Sequence, residues 1–154
     1  MRKSWPSLEQ LVMRSNVAAT ISRNGDADLK YLIVEDDPNL RLLWRSVLSD
    51  LGCSIHEAAT LEAAEDALAC DTFDVMILDL YLGRSNGMTL AVSVQQNYPK
   101  CKVIVVTGAA GVKINDLQAQ ATSIVSVHRK PVDIEDLIAV CEALHEPGTH
   151  ATGT

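Results

Sequence analysis

Side chains that can bind a metal ion or a phosphate follow four separate apolar stretches of this chain. They are Glu35, Asp36 and Asp37 after Tyr31–Val34, Asp79 after Asp74–Leu78, Thr107 after Lys102–Val106, and Lys130 after Ile124–His128. Short, continuous apolar runs are typical of strands covered on both faces, as in a parallel sheet. Because the carboxyl ends of parallel strands share one edge of the sheet, we expect these carboxylates, the hydroxyl and the lysine to meet there.

These residue types favour magnesium-dependent phosphoryl chemistry. Crowded carboxylates repel one another, and a hard divalent cation relieves that repulsion. Mg2+ takes oxygen ligands and is commonly held by one or two carboxylates together with phosphate oxygens. Lys130 would neutralise one phosphoryl oxygen, and Thr107 would donate a hydrogen bond to another. Asp79, on the central strand, is the candidate nucleophile because a carboxylate can form an aspartyl-phosphate.

Helical patterns alternate with the strands and predict the fold class. They lie after Pro38, near Leu61–Ala69, near Met88–Asn97, weakly at about Ile114–Ala121 and at Ile134–Leu144, and a further strand lies near Cys53–Glu57. Five strand–helix pairs in alternation indicate an α/β protein with helices on both faces of a parallel sheet. The spacing fits a flavodoxin-like, doubly wound (βα)5 sheet with strand order 2-1-3-4-5. Residues 30–145 would form this domain.

The two ends of the chain differ from this domain in composition. In the N-terminal extension, residues 1–29, the side chains Leu8, Leu11 and Val12 fall on one face of a predicted short helix that precedes a linker. The extension is either a frayed tail or a helix that docks on the domain or on a second copy, so a homodimer is possible. Residues 146–154 are predicted to be a flexible tail, and we expect no output domain.

Charge and hydropathy argue against two kinds of partner. Residues 1–29 carry four basic and three acidic side chains, net +1, and the remainder carries nine basic and seventeen acidic, net −8. An acidic domain without a basic stripe is a poor candidate for direct DNA binding, because phosphate neutralisation dominates that affinity. No stretch approaches the ~20 apolar residues that span a bilayer, and we find no secretory signal. We therefore expect a cytoplasmic protein that does not contact the membrane.

The order and spacing of these motifs resemble the receiver domain of two-component response regulators. The residues that carry the resemblance are YLIVEDDP at Tyr31–Pro38, VMILD at Val75–Asp79, Gly87, VIVVT at Val103–Thr107, and Lys130-Pro131. The resemblance implies that Glu35, Asp36, Asp79 and the backbone carbonyl of Tyr81 hold Mg2+. It also implies that Asp79 is the phosphoacceptor, Thr107 the switch hydroxyl and Lys130 the phosphate contact, with a cis peptide before Pro131.

The resemblance further implies a signalling function rather than an enzyme with a separate substrate. A histidine kinase or a histidine phosphotransfer protein would supply the phosphoryl group, and the domain would catalyse only its own phosphorylation and dephosphorylation. The signal would pass to a downstream protein target by direct contact or by phosphorelay. Gly83 stands where receivers usually carry proline, and Val127 where they usually carry an aromatic. These departures leave a second hypothesis open, a phosphorylation-independent adaptor that retains the acidic pocket.

The strand-end residues disfavour two enzyme classes of similar architecture. A flavin or dinucleotide binder needs a Gly- or Ser/Thr-rich phosphate loop after its first strand, where this chain has Glu-Asp-Asp-Pro. A haloacid-type phosphatase needs a second carboxylate two residues after the nucleophile, where this chain has Tyr81. Fold alone would not separate these classes, so the side chains at the strand ends decide.

Overall fold

A computed structural model describes residues 29–109 and 111–145 of the chain. The elements in chain order are β1 (Lys30–Val34), α1 (Pro38–Ser49), β2 (Ser54–Ala58), α2 (Leu61–Cys70), β3 (Val75–Asp79), β4 (Tyr81–Leu82), β5 (Ser85–Asn86), α3 (Met88–Asn97), β6 (Lys102–Thr107), α4 (Ile114–Gln120), β7 (Ile124–Arg129) and α5 (Ile134–His145). The predicted N-terminal helix and C-terminal tail lie outside the described residues. No helix in the described ranges is long and apolar enough to cross a bilayer.

Five strands form one parallel sheet in the order β2-β1-β3-β6-β7. Strand β3 is buried at every position, which explains its unbroken apolar sequence before Asp79. Strands β4 and β5 form a separate two-residue hairpin, so β6 and β7 are the fourth and fifth strands of the prediction. The predicted flavodoxin-like order 2-1-3-4-5 is therefore confirmed.

Two apolar layers cover the faces of the sheet. Helices α1 and α5 pack on one face through residues that include Trp44, Leu48 and Leu137. Helices α2, α3 and α4 cover the other face, where Leu68 and Leu90 contribute to the core. This arrangement buries the interior strands on both sides, and it leaves the carboxyl ends of the strands as the place where polar side chains collect.

Side-chain caps fix where the helices begin. The Asp37 carboxylate accepts a hydrogen bond from the Asn39 N–H at 2.8 Å, and Pro38 occupies the first turn of α1. Thr60 caps α2 through the Ala63 N–H, and the Asp133 carboxylate accepts from the Glu135 N–H. Thr60 and Asp133 thus fix the first turns of α2 and α5. Asp37 is thus used as a helix cap, which leaves Glu35 and Asp36 as the acids of the preceding turn.

The hairpin of β4 and β5 is the element that the sequence does not predict. Its four paired residues lie in the loop after Asp79, and Gly83 turns the chain with a positive φ of 59°. Two-residue strands carry no hydrophobic periodicity, so only the glycine hints at a turn here. The fourth helix, α4, is a single short element of 7 residues, in keeping with its weak pattern.

Candidate functional site

Three carboxylates converge at the carboxyl edge of the sheet. Strands β1 and β3 pair in register, with Val34 opposite Leu78, so the acids that follow them lie side by side. One oxygen from each of Glu35, Asp36 and Asp79 lies within 4.8 Å of the other two. Glu35 and Asp79 are buried, whereas Asp36 is exposed. The three acids predicted from the sequence therefore form one group that is open to solvent on the Asp36 side.

Lys130 lies between the two buried acids. Its Nζ donates to Glu35 Oε1 at 3.1 Å and to Asp79 Oδ2 at 3.0 Å. Burial by itself lowers the pKa of Lys130, but the hydrogen bonds and the negative charges of Asp79 and Glu35 outweigh it and raise the pKa. The lysine is therefore a fixed positive charge beside Asp79. The Lys130–Pro131 peptide is cis, as the resemblance implies.

Backbone N–H groups hold the remaining carboxylate oxygens. Tyr81 N–H donates to Asp79 Oδ1 at 3.0 Å, and Asp37 N–H donates to Glu35 Oε2 at 3.1 Å. Gly83 N–H donates to Asp36 Oδ2 at 3.1 Å. Sequence reasoning missed all three donors, because a backbone N–H has no residue-type signature. Gly83 is informative, since proline, the usual residue of the family at this place, has no N–H and could not make this contact.

Thr107 and Tyr81 take up positions next to this group. Thr107 is buried at the end of β6, and its hydroxyl oxygen accepts from the Ala109 N–H at 3.1 Å. Its carbonyl accepts from the Lys130 N–H at 2.8 Å, which joins the threonine to the lysine through the backbone. Tyr81 begins the hairpin two residues after Asp79, with an exposed ring. Both residues that the resemblance singles out thus adjoin the acids in the chain or in the sheet.

Val127 lies half-buried on β7 and packs against the core layer of α2, α3 and α4. Receivers of the usual pattern carry an aromatic ring here. A valine side chain is small and β-branched, with one strongly preferred rotamer, so it does not swing between two positions as a large ring can. Val127 therefore cannot supply the movement of an aromatic ring that the resemblance implies for this position.

Burial raises the pKa of the Glu35 carboxyl to about 7. The hydrogen bond with the Asp36 carboxyl and the negative charge of Asp79 act in the same direction, while the Asp37 N–H and Lys130 oppose them. Ionising all three carboxylates beside a single lysine is therefore unfavourable. A bound divalent cation would compensate this excess negative charge.

We expect Mg2+ binding to depend on pH because a proton and the metal compete for Glu35. With a folded-state pKa of about 7, the apparent Mg2+ affinity should be about tenfold weaker near pH 6 than near pH 8. Without metal, the raised pKa means that Glu35 contributes stability below its ordinary pKa of about 4.5, and that this stability is lost as the pH rises to about 7. Isothermal titration calorimetry at the two pH values measures the affinity. An equal affinity at both, or an unchanged pH dependence in Glu35→Gln, would contradict this competition.

Gly87 lies against the backbone at the end of β3. A Cβ added at this position would lie 2.8 Å from the Asp79 carbonyl oxygen and 3.1 Å from the Leu80 Cα. Both contacts are with backbone, which cannot rotate away as the end of a side chain can. The glycine predicted as part of the motif set is thus explained by a close approach rather than by its φ angle, which is −66°.

We expect Gly87→Ala to lower the free energy of unfolding by about 1–3 kcal/mol, the usual range for overpacking. The substitution should also weaken Mg2+ binding, because it displaces the backbone carbonyl of Asp79. Gly108→Ala is the matched control, because nothing lies within 4 Å of a Cβ added there. Urea denaturation of both variants measures the difference, and equal stability of Gly87→Ala and Gly108→Ala would show that the close approach is tolerated.

The donor set of this site fits Mg2+. Carboxylate oxygens are the hard ligands that this ion prefers, and the group includes one exposed acid through which solvent can complete an octahedral shell. Lys130 leaves the described acids with a net negative charge, so a divalent cation is not repelled. The same three carboxylates would suit Ca2+ or Mn2+ in charge, but the small number of protein ligands favours an ion that retains water.

The family model for the response regulator receiver domain matches residues 31–142. This chain belongs to that family. Receiver domains of two-component response regulators are signalling domains that accept a phosphoryl group on an aspartate and bind Mg2+ in an acidic pocket. The resemblance seen in the sequence is therefore confirmed at the level of the family.

Relatives of the receiver domain include proteins of greater length. The response regulator protein PilR of Pseudomonas aeruginosa is 30% identical over 123 residues, which are 77% of this chain and 27% of PilR. The signal receiver domain of an HD domain-containing protein from Pseudomonas fluorescens is 25% identical, with a TM-score of 0.68 over 81% of this chain and 91% of that one. TrrA of Thermotoga maritima, solved in complex with Mg2+ and BeF, is 22% identical and shares the fold, with a TM-score of 0.66 over 75% of this chain and 98% of its own. The chain spans about a quarter of the length of the curated relatives that it matches.

Proposed function

We propose that this receiver domain accepts a phosphoryl group on Asp79 from a histidine kinase or a histidine phosphotransfer protein. Glu35, Asp36, Asp79 and the backbone carbonyl of Tyr81 would hold Mg2+, which supplies charge neutralisation for the transferring phosphoryl group. Lys130 and Thr107 would bind phosphoryl oxygens. The observation that carries this proposal is the position of Asp79, which is buried, adjoins two further acids within 4.8 Å, and bonds Lys130.

The geometry supports a specific division of roles between the two oxygens of Asp79. Oδ1 accepts from the Tyr81 N–H and Oδ2 from Lys130, so the carboxylate is held in one orientation before a phosphodonor arrives. One carboxylate oxygen would attack phosphorus while the bond from phosphorus to the donor imidazole nitrogen breaks. The electron pair of that bond stays with the imidazole, and an acyl phosphate forms on Asp79. Lys130 can follow the negative charge from the carboxylate to the new phosphoryl oxygen because it already lies beside Oδ2.

Two routes lead from phosphorylated Asp79 to a response. The domain would either present a changed surface to a downstream protein target or pass the phosphoryl group to a second histidine protein. A backbone hydrogen bond joins Thr107, at the end of β6, to Lys130, directly after β7, so a change at the phosphate would reach that edge of the sheet. An acidic receiver surface makes a protein partner a better match than DNA for this domain itself.

Incubation with a small phosphodonor such as acetyl phosphate tests this proposal. We expect the intact mass to rise by one phosphoryl group when Mg2+ is present and to remain unchanged with EDTA. Hydroxylamine should remove the added mass, because it cleaves acyl phosphates and leaves phosphate esters of serine or threonine intact. A protein that never gains mass, although Mg2+ binds, would favour the alternative of a phosphorylation-independent adaptor. The departures from the family pattern at Gly83 and Val127 are the reason for testing this alternative.

A further inference from the structure

Arg41 of α1 contacts the acidic turn from outside the metal site. Its Nη1 donates to the backbone carbonyl oxygen of Glu35 at 2.8 Å, and its Nε donates to Glu57 Oε1 at 3.2 Å. The side chain is 20% exposed, so most of it is packed against the protein. One guanidinium thus bridges the turn that follows β1 and the end of β2. Its fixed planar donors suit two acceptors in different directions better than an ammonium group does.

The carbonyl that Arg41 binds belongs to the peptide between two of the proposed metal ligands. The N–H of Glu35 is already fixed, because it donates to the Ala58 carbonyl of β2 at 3.0 Å. The bond from Arg41 fixes the other side of the same residue. The peptide plane that separates the Glu35 and Asp36 side chains is therefore held in one orientation. Ordering a residue on binding costs conformational entropy, so a turn ordered in advance should bind a metal ion more tightly.

Arg45 provides an internal comparison on the same helix. Its Nη1 donates to Glu57 Oε2 at 2.7 Å, so Arg41 and Arg45 hold the two oxygens of one carboxylate. Within the described residues, the Arg45 guanidinium bonds Glu57 and not the acidic turn. The two arginines share charge, helix and partner. They differ in the contact with the Glu35 carbonyl.

We infer that Arg41 is a positioning residue for the magnesium site, acting through the Glu35 carbonyl; this rests on the proposed function. Electrostatics and positioning predict opposite effects of removing it. A cation near the site repels Mg2+, so loss of its charge alone would strengthen Mg2+ binding. Loss of the hydrogen bond would free the turn and weaken binding. The sign of the change in affinity therefore distinguishes a positioning residue from a bystander charge.

Calorimetric titration of the full chain with Mg2+ in the absence of a phosphodonor tests this inference. We expect Arg41→Ala to weaken Mg2+ binding about tenfold, the lower end of the usual effect of losing a partner that orients a metal ligand. Arg45→Ala should change it less than about twofold. Arg41→Lys keeps the positive charge but offers one donor group to two acceptors. It should therefore bind Mg2+ more weakly than the wild type. It also serves as the second variant if Arg41→Ala does not fold.

A second readout is the rate of phosphorylation by acetyl phosphate as a function of Mg2+ concentration. Arg41→Ala should raise the half-saturating Mg2+ concentration by the same factor and leave the rate at saturation unchanged. Tighter binding in Arg41→Ala, or equal affinities of the Arg41 and Arg45 variants, would overturn the inference while leaving the proposed function in place. A wild-type chain that binds no Mg2+ would overturn both.

Discussion

Asp79→Asn should abolish phosphoryl incorporation from acetyl phosphate at any Mg2+ concentration. The amide oxygen is a far weaker nucleophile than a carboxylate, so the acyl phosphate cannot form at this position. The same substitution removes one of the three acids within 4.8 Å of one another, and we expect Mg2+ affinity to fall by about tenfold or more. Intact mass spectrometry and calorimetric titration measure the two effects separately.

Asp66→Asn is the control for this prediction. Asp66 is an exposed aspartate on α2, and the substitution makes the same chemical change away from the acidic group. The control should gain the phosphoryl mass as the wild type does. If Asp79→Asn gained the same mass, phosphorus would be bound to another residue, and the role proposed for Asp79 would be wrong.

Lys130→Ala should slow phosphorylation at saturating Mg2+ by about a hundredfold, the usual effect of losing one fixed donor that stabilises charge in a transition state. The same substitution should tighten Mg2+ binding several-fold. Glu35 and Asp79 lose the cation that bonds them at 3.1 and 3.0 Å, and the uncompensated carboxylates attract the metal more strongly. Stopped-flow or quenched mass measurements give the rate, and calorimetry gives the affinity.

Arg129→Ala is the control that tests whether the effect of Lys130 depends on its position or only on its positive charge. Arg129 precedes Lys130 in the chain, carries the same charge and is exposed. Its removal should leave both the rate and the Mg2+ affinity within about twofold of the wild type, because exposed charges are screened by solvent. Wild-type phosphorylation in Lys130→Ala would mean that the lysine serves only as a counter-ion of the acids without phosphate.

The part of the fold that sequence reasoning predicts best is the part buried on both faces. Tyr31–Val34 and Val75–Leu78 are continuous apolar runs that lie in interior strands, and the acids that follow them mark the strand ends. Strand β2 shifts by one residue from the predicted Cys53–Glu57 to Ser54–Ala58, since an edge strand with mostly exposed residues lacks a sharp apolar boundary. The sequence predicts both the strands and the site here, because the carboxyl ends of the strands form the site.

The contacts that orient the site could not be read from the sequence. Tyr81 and Gly83 act through backbone N–H groups, which every residue except proline possesses. Arg41 reaches the carbonyl of a residue six positions earlier, and only the packing of α1 on the sheet brings the two together. An arginine one turn into the helix that follows an acidic strand end is the sequence signal that could have raised this possibility.

A crystal structure of the chain soaked with Mn2+ and beryllofluoride tests the central claim most directly. Mn2+ replaces Mg2+ at oxygen sites and is located by its anomalous scattering. We predict one Mn2+ bound by Glu35, Asp36, Asp79 and the carbonyl of Tyr81, with beryllofluoride on Asp79 and Lys130 turned to its fluorine atoms. No anomalous peak among these acids, with Lys130 still bonded to Glu35 and Asp79 and no beryllofluoride on Asp79, would contradict the claim.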